Sequence, residues 1–275
     1  MRTIAHLSDL HFGRVDPALL DPMRRRLVSL HPDLLVVSGD LTQRAKPAEF
    51  RAARAYLDTL PMPRLVVPGN HDVPLYNVFQ RFLFPLSKFR RFVTADLDPD
   101  FIDAEMAVVG VNTARSFVFK GGRINPEQVE VVRAKFCHLG EEVTKILVTH
   151  HPFDVPEGSG EADQIVGRAK MALENLAHCG ADVLLSGHLH ATHVGHTAER
   201  YRIAGLSALV IQAGTALSTR QRGETNSFNL LRVWPRHIEV AQYTWKEADF
   251  VPAATQAFDH TGHGWAPGEA RDAGE

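Results

Sequence analysis

The sequence predicts an α/β fold, and three features of its patterning carry that reading. Short apolar runs end abruptly in polar turns, and the first two such units are each followed by a helix with one apolar face. The last third changes to strand-like segments with few helices between them. At 275 residues, 44% apolar and 23% charged, the chain has the composition of an ordinary soluble globular protein.

Residues 2–7 read as a short buried strand running into Ser8-Asp9-Leu10-His11. Pro17 to Leu30 follows as a helix, because Leu19, Leu20, Met23, Leu27 and Leu30 recur at three- and four-residue spacing. Leu34–Val37 is the second strand and ends in Ser38-Gly39-Asp40. Pro47 opens the next helix, which runs to about Leu60, and Arg64–Val67 is the third strand, running into Pro68-Gly69-Asn70-His71-Asp72. Strand, polar turn and helix repeat, which argues right-handed crossovers in one sheet.

The pattern then breaks. Residues 76–98 read as a helical, cap-like insertion dense in phenylalanine (Phe79, Phe82, Phe84, Phe89, Phe92), with Arg81, Lys88, Arg90 and Arg91 between them and Pro85 dividing it. Two amphipathic helices that pack their phenylalanines inward are expected here; the alternative is a cap whose Phe82 or Phe89 receives an apolar group of a ligand. Met106–Val111 is a strand, Gly121-Gly122 a turn and Pro126–Phe136 a helix. Lys145–Thr149 is a strand ending in His150-His151-Pro152, and a Gly-, Glu- and Asp-rich loop covers 154–164. A helix from about Ile165 to His178 stops at Gly180, and Asp182–Leu185 leads into Ser186-Gly187-His188-Leu189-His190. Ala208–Ala213, Ser227–Trp234 and Ile238–Tyr243 are strand-like and suggest a mostly antiparallel second sheet. Residues 1–250 are thus read as one domain, and the polar, Gly/Pro-rich stretch 251–275 as a loosely ordered tail.

Composition narrows function by exclusion. Thirty basic against 32 acidic residues give a net charge of -2, without the basic excess expected of a nucleic-acid-binding protein. Cys137 and Cys179 form neither a disulfide framework nor a zinc spacing and are read as small core residues. The chain enters directly into Arg2-Thr3-Ile4-Ala5 without an apolar leader, and no apolar run reaches the ~20 residues of a membrane span. A cytoplasmic location is the expectation.

Five strand ends carry metal-competent side chains: Asp9 with His11, Asp40, Asn70 with His71, His150, and His188 with His190. Loops at one edge of an α/β sheet are where sites are built, because the strands hold them rigidly together. Residues two apart on a regular strand share one face, so they converge on a common centre only where the chain turns irregularly past the strand. Carboxylate, imidazole and one amide, with no thiolate, suit Mn, Fe or Zn. Each piece alone is weak, since Asp-x-His is a common surface pair and Asn and Gly favour turns. Five at successive strand ends outweigh that bland reading.

These blocks (Asp9-Leu10-His11, Gly39-Asp40, Gly69-Asn70-His71-Asp72, His150-His151-Pro152 and Gly187-His188-Leu189-His190) resemble the signature of the calcineurin-like metallophosphoesterases over about residues 3–215. The resemblance implies a four-layer α/β/β/α sandwich with two facing mixed sheets. It implies two metal ions, the first held by Asp9, His11, Asp40 and His190, the second by Asp40, Asn70, His150 and His188. Two ions about 3.5–4 Å apart would activate a bridging hydroxide for in-line attack on phosphorus. Two divalent ions with Asp9, Asp40 and that hydroxide leave a single positive charge, suited to a phosphate ester anion.

The family also implies that His71 lies beside the leaving-group oxygen. Asp72 would then fix its tautomer and raise its pKa, making it a general acid; the alternative is that His71 only hydrogen-bonds the phosphate. His151 is a candidate substrate contact or a support for His150. Asn112 and Arg115 are candidates to reach the phosphate, a structural ion pair being the alternative for Arg115. Arg220 and Arg222 read as loop decoration, substrate binding being the alternative, and His193 and His196 as solvated or core strand residues.

Gly39-Asp40 is followed by Leu41-Thr42-Gln43-Arg44, and Asp72 stands where protein phosphatases carry glutamate, so that branch is disfavoured. The chain is most similar to the bacterial class III cyclic nucleotide phosphodiesterases and glycerophosphodiesterases. A phosphodiesterase acting on a small phosphoester, a cyclic nucleotide or glycerophosphodiester, is therefore expected. The alternatives are a phosphomonoesterase, a lipid-type nucleotide-sugar pyrophosphatase using the Phe-rich cap, and a metal-binding interaction module. Peripheral lipid contact and a homo-oligomer are compatible with the sequence; specific nucleic-acid binding is not expected.

Overall fold

The computed structural model describes residues 1–117, 121–155, 160–201, 203, 207–220, 223–262 and 264–271. In chain order the elements are β1 (Arg2–Leu7), α1 (Pro17–Leu30), β2 (Leu34–Val37), α2 (Pro47–Leu57), β3 (Arg64–Val66), α3 (Val78–Leu83), α4 (Ser87–Phe92), β4 (Asp100–Ile102) and β5 (Met106–Gly110). Then come α5 (Pro126–Phe136), β6 (Thr144–Val148), α6 (Ala169–Leu176), β7 (Val183–Ser186), β8 (His193–His196), α7 (Thr197–Arg200) and β9 (Leu209–Gln212). The last four strands are β10 (Ser227–Trp234), β11 (His237–Lys246), β12 (Asp249–Thr261) and β13 (Gly264–Gly268).

Two mixed sheets face each other. One runs β13-β12-β11-β10-β1-β2-β3 and the other β4-β5-β6-β7-β9-β8. The central strands read as continuous apolar runs because both of their faces are covered. Along β2, Leu34 and Val36 point into the core between the sheets, whereas Leu35 and Val37 face the outer core. The inter-sheet core is closed from the second sheet by residues such as Ile146, Val148, Leu185 and Ile211. Outside the first sheet, α1, α2 and α4 contribute Leu19, Met23, Leu27, Phe50 and Phe89; outside the second, α5 and α6 contribute Val129, Phe136 and Leu173. The layers are therefore α/β/β/α, as the resemblance implies.

Several expectations are corrected. The antiparallel strands of the last third do not form the second sheet. They extend the first one, β10 pairing antiparallel with β1, while the second sheet is mainly parallel through β5, β6, β7 and β9. The stretch from Pro252 is no loose tail: β12 pairs with β11 from Asp249 to Asp259, and Phe258 and Trp265 enter the inter-sheet core. Pro252 is tolerated because it lies at a bulge opposite Tyr243, where the pairing of β13 with Ala257–Thr261 has not yet begun. The two cysteines, read as unlinked, are joined as a disulfide between the ends of the α5 and α6 segments.

The Phe-rich insertion divides by helix. In α4, Phe89 is fully buried and Phe92 stacks on Phe50 of α2. In α3, Phe79 and Phe82 stay exposed, so inward packing holds for only half of the segment.

Candidate metal centre

The site lies where β1, β2, β3, β6 and β7 end at the same edge of the two sheets. Parallel pairing of β1 with β2 continues past the strands, where Asp9 donates its N–H to the Gly39 carbonyl and His11 its N–H to that of Asp40. The chain does not leave these strands in extended form. Asp9, His11, Asp40, His188 and His190 all have left-handed backbone, with φ of 54°, 48°, 53°, 74° and 59°. Such values are uncommon outside glycine, although Asp and His reach them more readily than most residues. Here they let both members of each i, i+2 pair turn toward one centre. Gly39, at φ +98°, is required for a second reason: a Cβ there would stand 2.6 Å from His150 Nδ1.

The carboxylates are held so that one oxygen of each faces inward. Asp9 Oδ2 accepts from the His188 N–H at 2.9 Å, and Asp40 Oδ1 from the His71 N–H at 2.8 Å. Asp9 Oδ1 is left 3.4 Å from His11 Nε2 and 3.5 Å from His190 Nε2. Asp40 Oδ2 lies 3.8 Å from His11 Nε2 and 3.5 Å from His150 Nε2. Asp40 is thus the carboxylate shared between two groups of imidazoles.

The outer nitrogens of the rings are tied to oxygens. His150 Nδ1 lies 2.8 Å from the Ser38 carbonyl, His11 Nδ1 3.4 Å from the Thr42 carbonyl, and His190 Nδ1 2.6 Å from Thr215 Oγ1. Donation to the two carbonyls turns Nε2 of His150 and His11 inward, where each can bind an ion once it carries no proton. His188 is reversed, with Nε2 2.8 Å from Gln164 Oε1 and Nδ1 3.3 Å from His150 Nε2. Asn70 Oδ1 lies 3.1 Å from the same His150 nitrogen.

This arrangement fits cations. Asp9, His11, Asp40 and His150 are at most 1% exposed, and Asp9 Oδ1 and His11 Nε2 are buried without a hydrogen-bond partner. Leaving such groups unpaired is costly unless a further group binds them. Ligand atoms of Asp9, His11 and His190 lie within 4.8 Å of one another, as do those of Asp9, Asp40 and His150, of His11, Asp40 and His71, and of His150, His151 and His188. Electrostatics agree. Burial alone would raise the Asp9 and Asp40 carboxyls, yet the adjacent imidazoles, His190 foremost for Asp9 and His150 for Asp40, hold both well below the usual range. Burial pulls the His150 imidazole down, but Asp40 beside it, with Asp9, lifts it to about 9. Burial, then His150, lowers His188 to about 3, a ring that stays neutral and able to bind metal.

Other expected residues fall elsewhere. Asp72 does not touch the His71 ring. Its carboxylate accepts from the N–H groups of Leu41, Thr42 and Gly69 and from the Thr42 hydroxyl, so it clamps the β2 turn to the β3 turn. Burial, then the nearby Asp40 charge, pushes it up to about 6. The partner that orients His71 is the Gln43 carbonyl, 2.9 Å from Nδ1, and burial lowers the His71 pKa where a raised one was expected. Asn112 closes its own turn onto the Ala114 N–H, and Arg115 binds Gln128 at the start of α5; neither joins the cluster. His151 does join it, buried between His150 and His188 with Nδ1 2.8 Å from Thr113 Oγ1.

Arg220, for which the sequence leaves loop decoration or substrate binding open, reaches His71 Nε2 at 3.0 Å across 149 residues of chain. Gln164, the partner of His188, sits in a Gly-, Glu- and Asp-rich loop whose composition carries no signal of that role. Arg222 lies outside the described residues.

The profile of the calcineurin-like phosphoesterases matches residues 2–192. The chain is 28% identical over 184 residues to the glycerophosphodiester phosphodiesterase GpdQ of Enterobacter lignolyticus, an alignment covering 59% of this chain and 60% of that protein. It is 24% identical over 274 residues to a probable cyclic nucleotide phosphodiesterase of Synechococcus, covering 90% and 94%. Its fold superposes on the structure of PhoD with a TM-score of 0.74 at 10% identity, over 98% of this chain and 72% of that one. The protein belongs to the calcineurin-like phosphoesterase family, metal-dependent hydrolases of phosphoric esters.

Proposed function

We propose that the protein is a phosphodiesterase with two metal ions, acting on a cyclic nucleotide or a glycerophosphodiester. The observation that carries the two-ion reading is the position of Asp40 Oδ2 between His11 on one side and His150 on the other. Asp9, His11, Asp40 and His190 would hold one ion, and Asp40, Asn70, His150 and His188 the second, with Mn, Fe or Zn suited to these donors. When bound, the ions supply an activated water and stabilise charge during in-line displacement at phosphorus.

The remaining chemistry belongs to the chain. Arg220, hydrogen-bonded to His71, presents a guanidinium that binds phosphoryl oxygens, and His151 packs against the second group of ligands. Gln43 orients His71 through Nδ1 while Nε2 accepts from Arg220; with Arg220 turned to the phosphoryl oxygens, Nε2 would carry the proton given to the departing oxygen. A buried imidazole with a lowered pKa is a strong acid when protonated, and its Arg220 neighbour favours release of that proton. Asp72 acts through the loops it ties together. The diester preference rests on relatives named as diesterases.

The test is a panel of cyclic nucleotides, glycerophosphodiesters, p-nitrophenyl diesters and monoesters on protein of assayed metal content. Hydrolysis of monoesters alone would reject the reading. For His71, the His71→Asn variant should lose ~10²-fold or more on alkyl diesters and much less on bis-p-nitrophenyl phosphate, whose leaving group needs no proton. Equal losses on both would remove His71 from the role of acid.

A further inference from the structure

Helix α3 is inside out. Of its six residues, Arg81 is the buried one, whereas Val78, Phe79, Phe82 and Leu83 are exposed. The guanidinium is anchored by donating to the carbonyls of Ser116 and Pro74, which holds the apolar side of the helix toward solvent. Tyr76 before the helix and Phe84 after it are exposed as well, and Phe117 (83% exposed) packs its ring 4.9 Å from Phe82. A water-facing helix normally shows the opposite pattern, and contiguous apolar surface of this kind marks an interaction site.

Charge around the patch identifies what it meets. Between Asp72 and Asp96 the chain carries no acidic residue and, besides the buried Arg81, three basic ones, although the whole protein has a net charge of -2. Arg90 and Arg91 are exposed, and Arg44 lies over the Tyr76 ring, 5.6 Å from its centroid. An isologous contact between two copies would set these basic rims against each other, at an electrostatic cost. An anionic lipid surface complements both features, taking the aromatic side chains at its interface and the arginines against its headgroups. Among the described residues no helix is long and apolar enough to cross a membrane, so contact would be peripheral.

We propose that α3 and its flanking residues Tyr76, Phe84 and Phe117 dock the protein on an anionic lipid bilayer. Five residues separate Asp72 from the start of α3, so docking sets the metal centre near the bilayer surface. The docking itself does not depend on the diesterase reading.

Full-length protein is mixed with vesicles of phosphatidylcholine, alone or with about one-third phosphatidylglycerol, and the bound fraction is read by flotation at roughly 0.15 M salt. Binding should be about tenfold to a hundredfold stronger with the anionic lipid. Phe79→Asp with Phe84→Asp, and separately Arg90→Glu with Arg91→Glu, should each reduce it by about tenfold or more. Hydrolysis of bis-p-nitrophenyl phosphate should stay unchanged in both, and a wild-type far-ultraviolet spectrum reports folding should the parent not hydrolyse it. Absent binding, or equal binding to both vesicles, overturns the proposal. A chain that is dimeric without lipid and becomes monomeric on Phe79→Asp also overturns it, because a second copy then covers the patch.

Discussion

Replacing Gly69 by alanine adds one methyl group and removes no ligand, yet it should disable the metal centre. An ideal Cβ at Gly69 would stand 2.1 Å from Asp40 Oδ1 and 2.4 Å from the Asp40 backbone nitrogen. To restore ordinary contact the carboxylate must retreat by about 1.3 Å, and the backbone nitrogen cannot rotate away. The same oxygen accepts from the His71 N–H at 2.8 Å, so its retreat also frees the turn that carries Asn70 and His71. A misplacement of ~1 Å at reacting groups costs about 10²-fold, whereas overpacking of this kind costs only ~1–3 kcal/mol of stability. Gly69→Ala should therefore remain folded, with a melting temperature lowered by no more than about 10 °C, while metal content and diester hydrolysis fall by about 10²-fold. Metal content by mass spectrometry, hydrolysis of bis-p-nitrophenyl phosphate and thermal melting together read the three quantities. Asp40→Asn sets the scale for loss of the shared ligand. Gly262→Ala, where the new methyl meets nothing within 4 Å, controls for the substitution itself. Metals and activity retained within a few-fold in Gly69→Ala would show that Asp40 does not need its observed position.

Metal binding should release protons. His150, lifted to about 9 by Asp40 and Asp9 against the pull of burial, must lose its proton before Nε2 can bind an ion. Affinity should then rise with pH up to about 9, with roughly one proton released at pH 7, readable by calorimetry in buffers of different ionisation heat; no release would refute it. The same raised pKa stabilises the metal-free chain fully below about 6.5 and is lost as pH rises through about 9, so metal-free protein should melt lower at pH 9 than at pH 6.5. Phe258→Ala, in the segment that looks like a tail, should cost ~3–5 kcal/mol and lower the melting temperature by about 10 °C, since Phe258 is 5% exposed in the inter-sheet core. A shift under about 2 °C would mean that β12 and β13 are dispensable.

The metal-competent residues were legible because each block is local. Asp9 with His11, and His188 with His190, announce themselves within three residues, and their strands are apolar runs that stop at them. What the sequence could not supply was the means of convergence. Left-handed backbone at five of these positions turns residues two apart toward one centre, and no residue type in the motif demands it. The long-range partners were equally invisible: Arg220 meets His71, and Gln164 meets His188, from loops with no periodic pattern.

The misreadings share a cause, which is that a local rule was overruled by what lies on either side. The Gly/Pro-rich composition after Pro252 reads as a tail, but beside a bulge, and with no strand beyond it among the described residues, the missing N–H of Pro252 costs no ladder bond. Asp72, adjacent in sequence to His71, looks like its partner. The turn instead directs its carboxylate into the N–H groups of Leu41, Thr42 and Gly69 and leaves His71 to Gln43. In α3 the phenylalanines read as core, yet burying Arg81 against two carbonyls fixes the helix with those rings outward. A core helix gains nothing by burying its arginine and exposing its phenylalanines. That inversion is what separates α3 from α4, whose Phe89 follows the ordinary rule a few residues later.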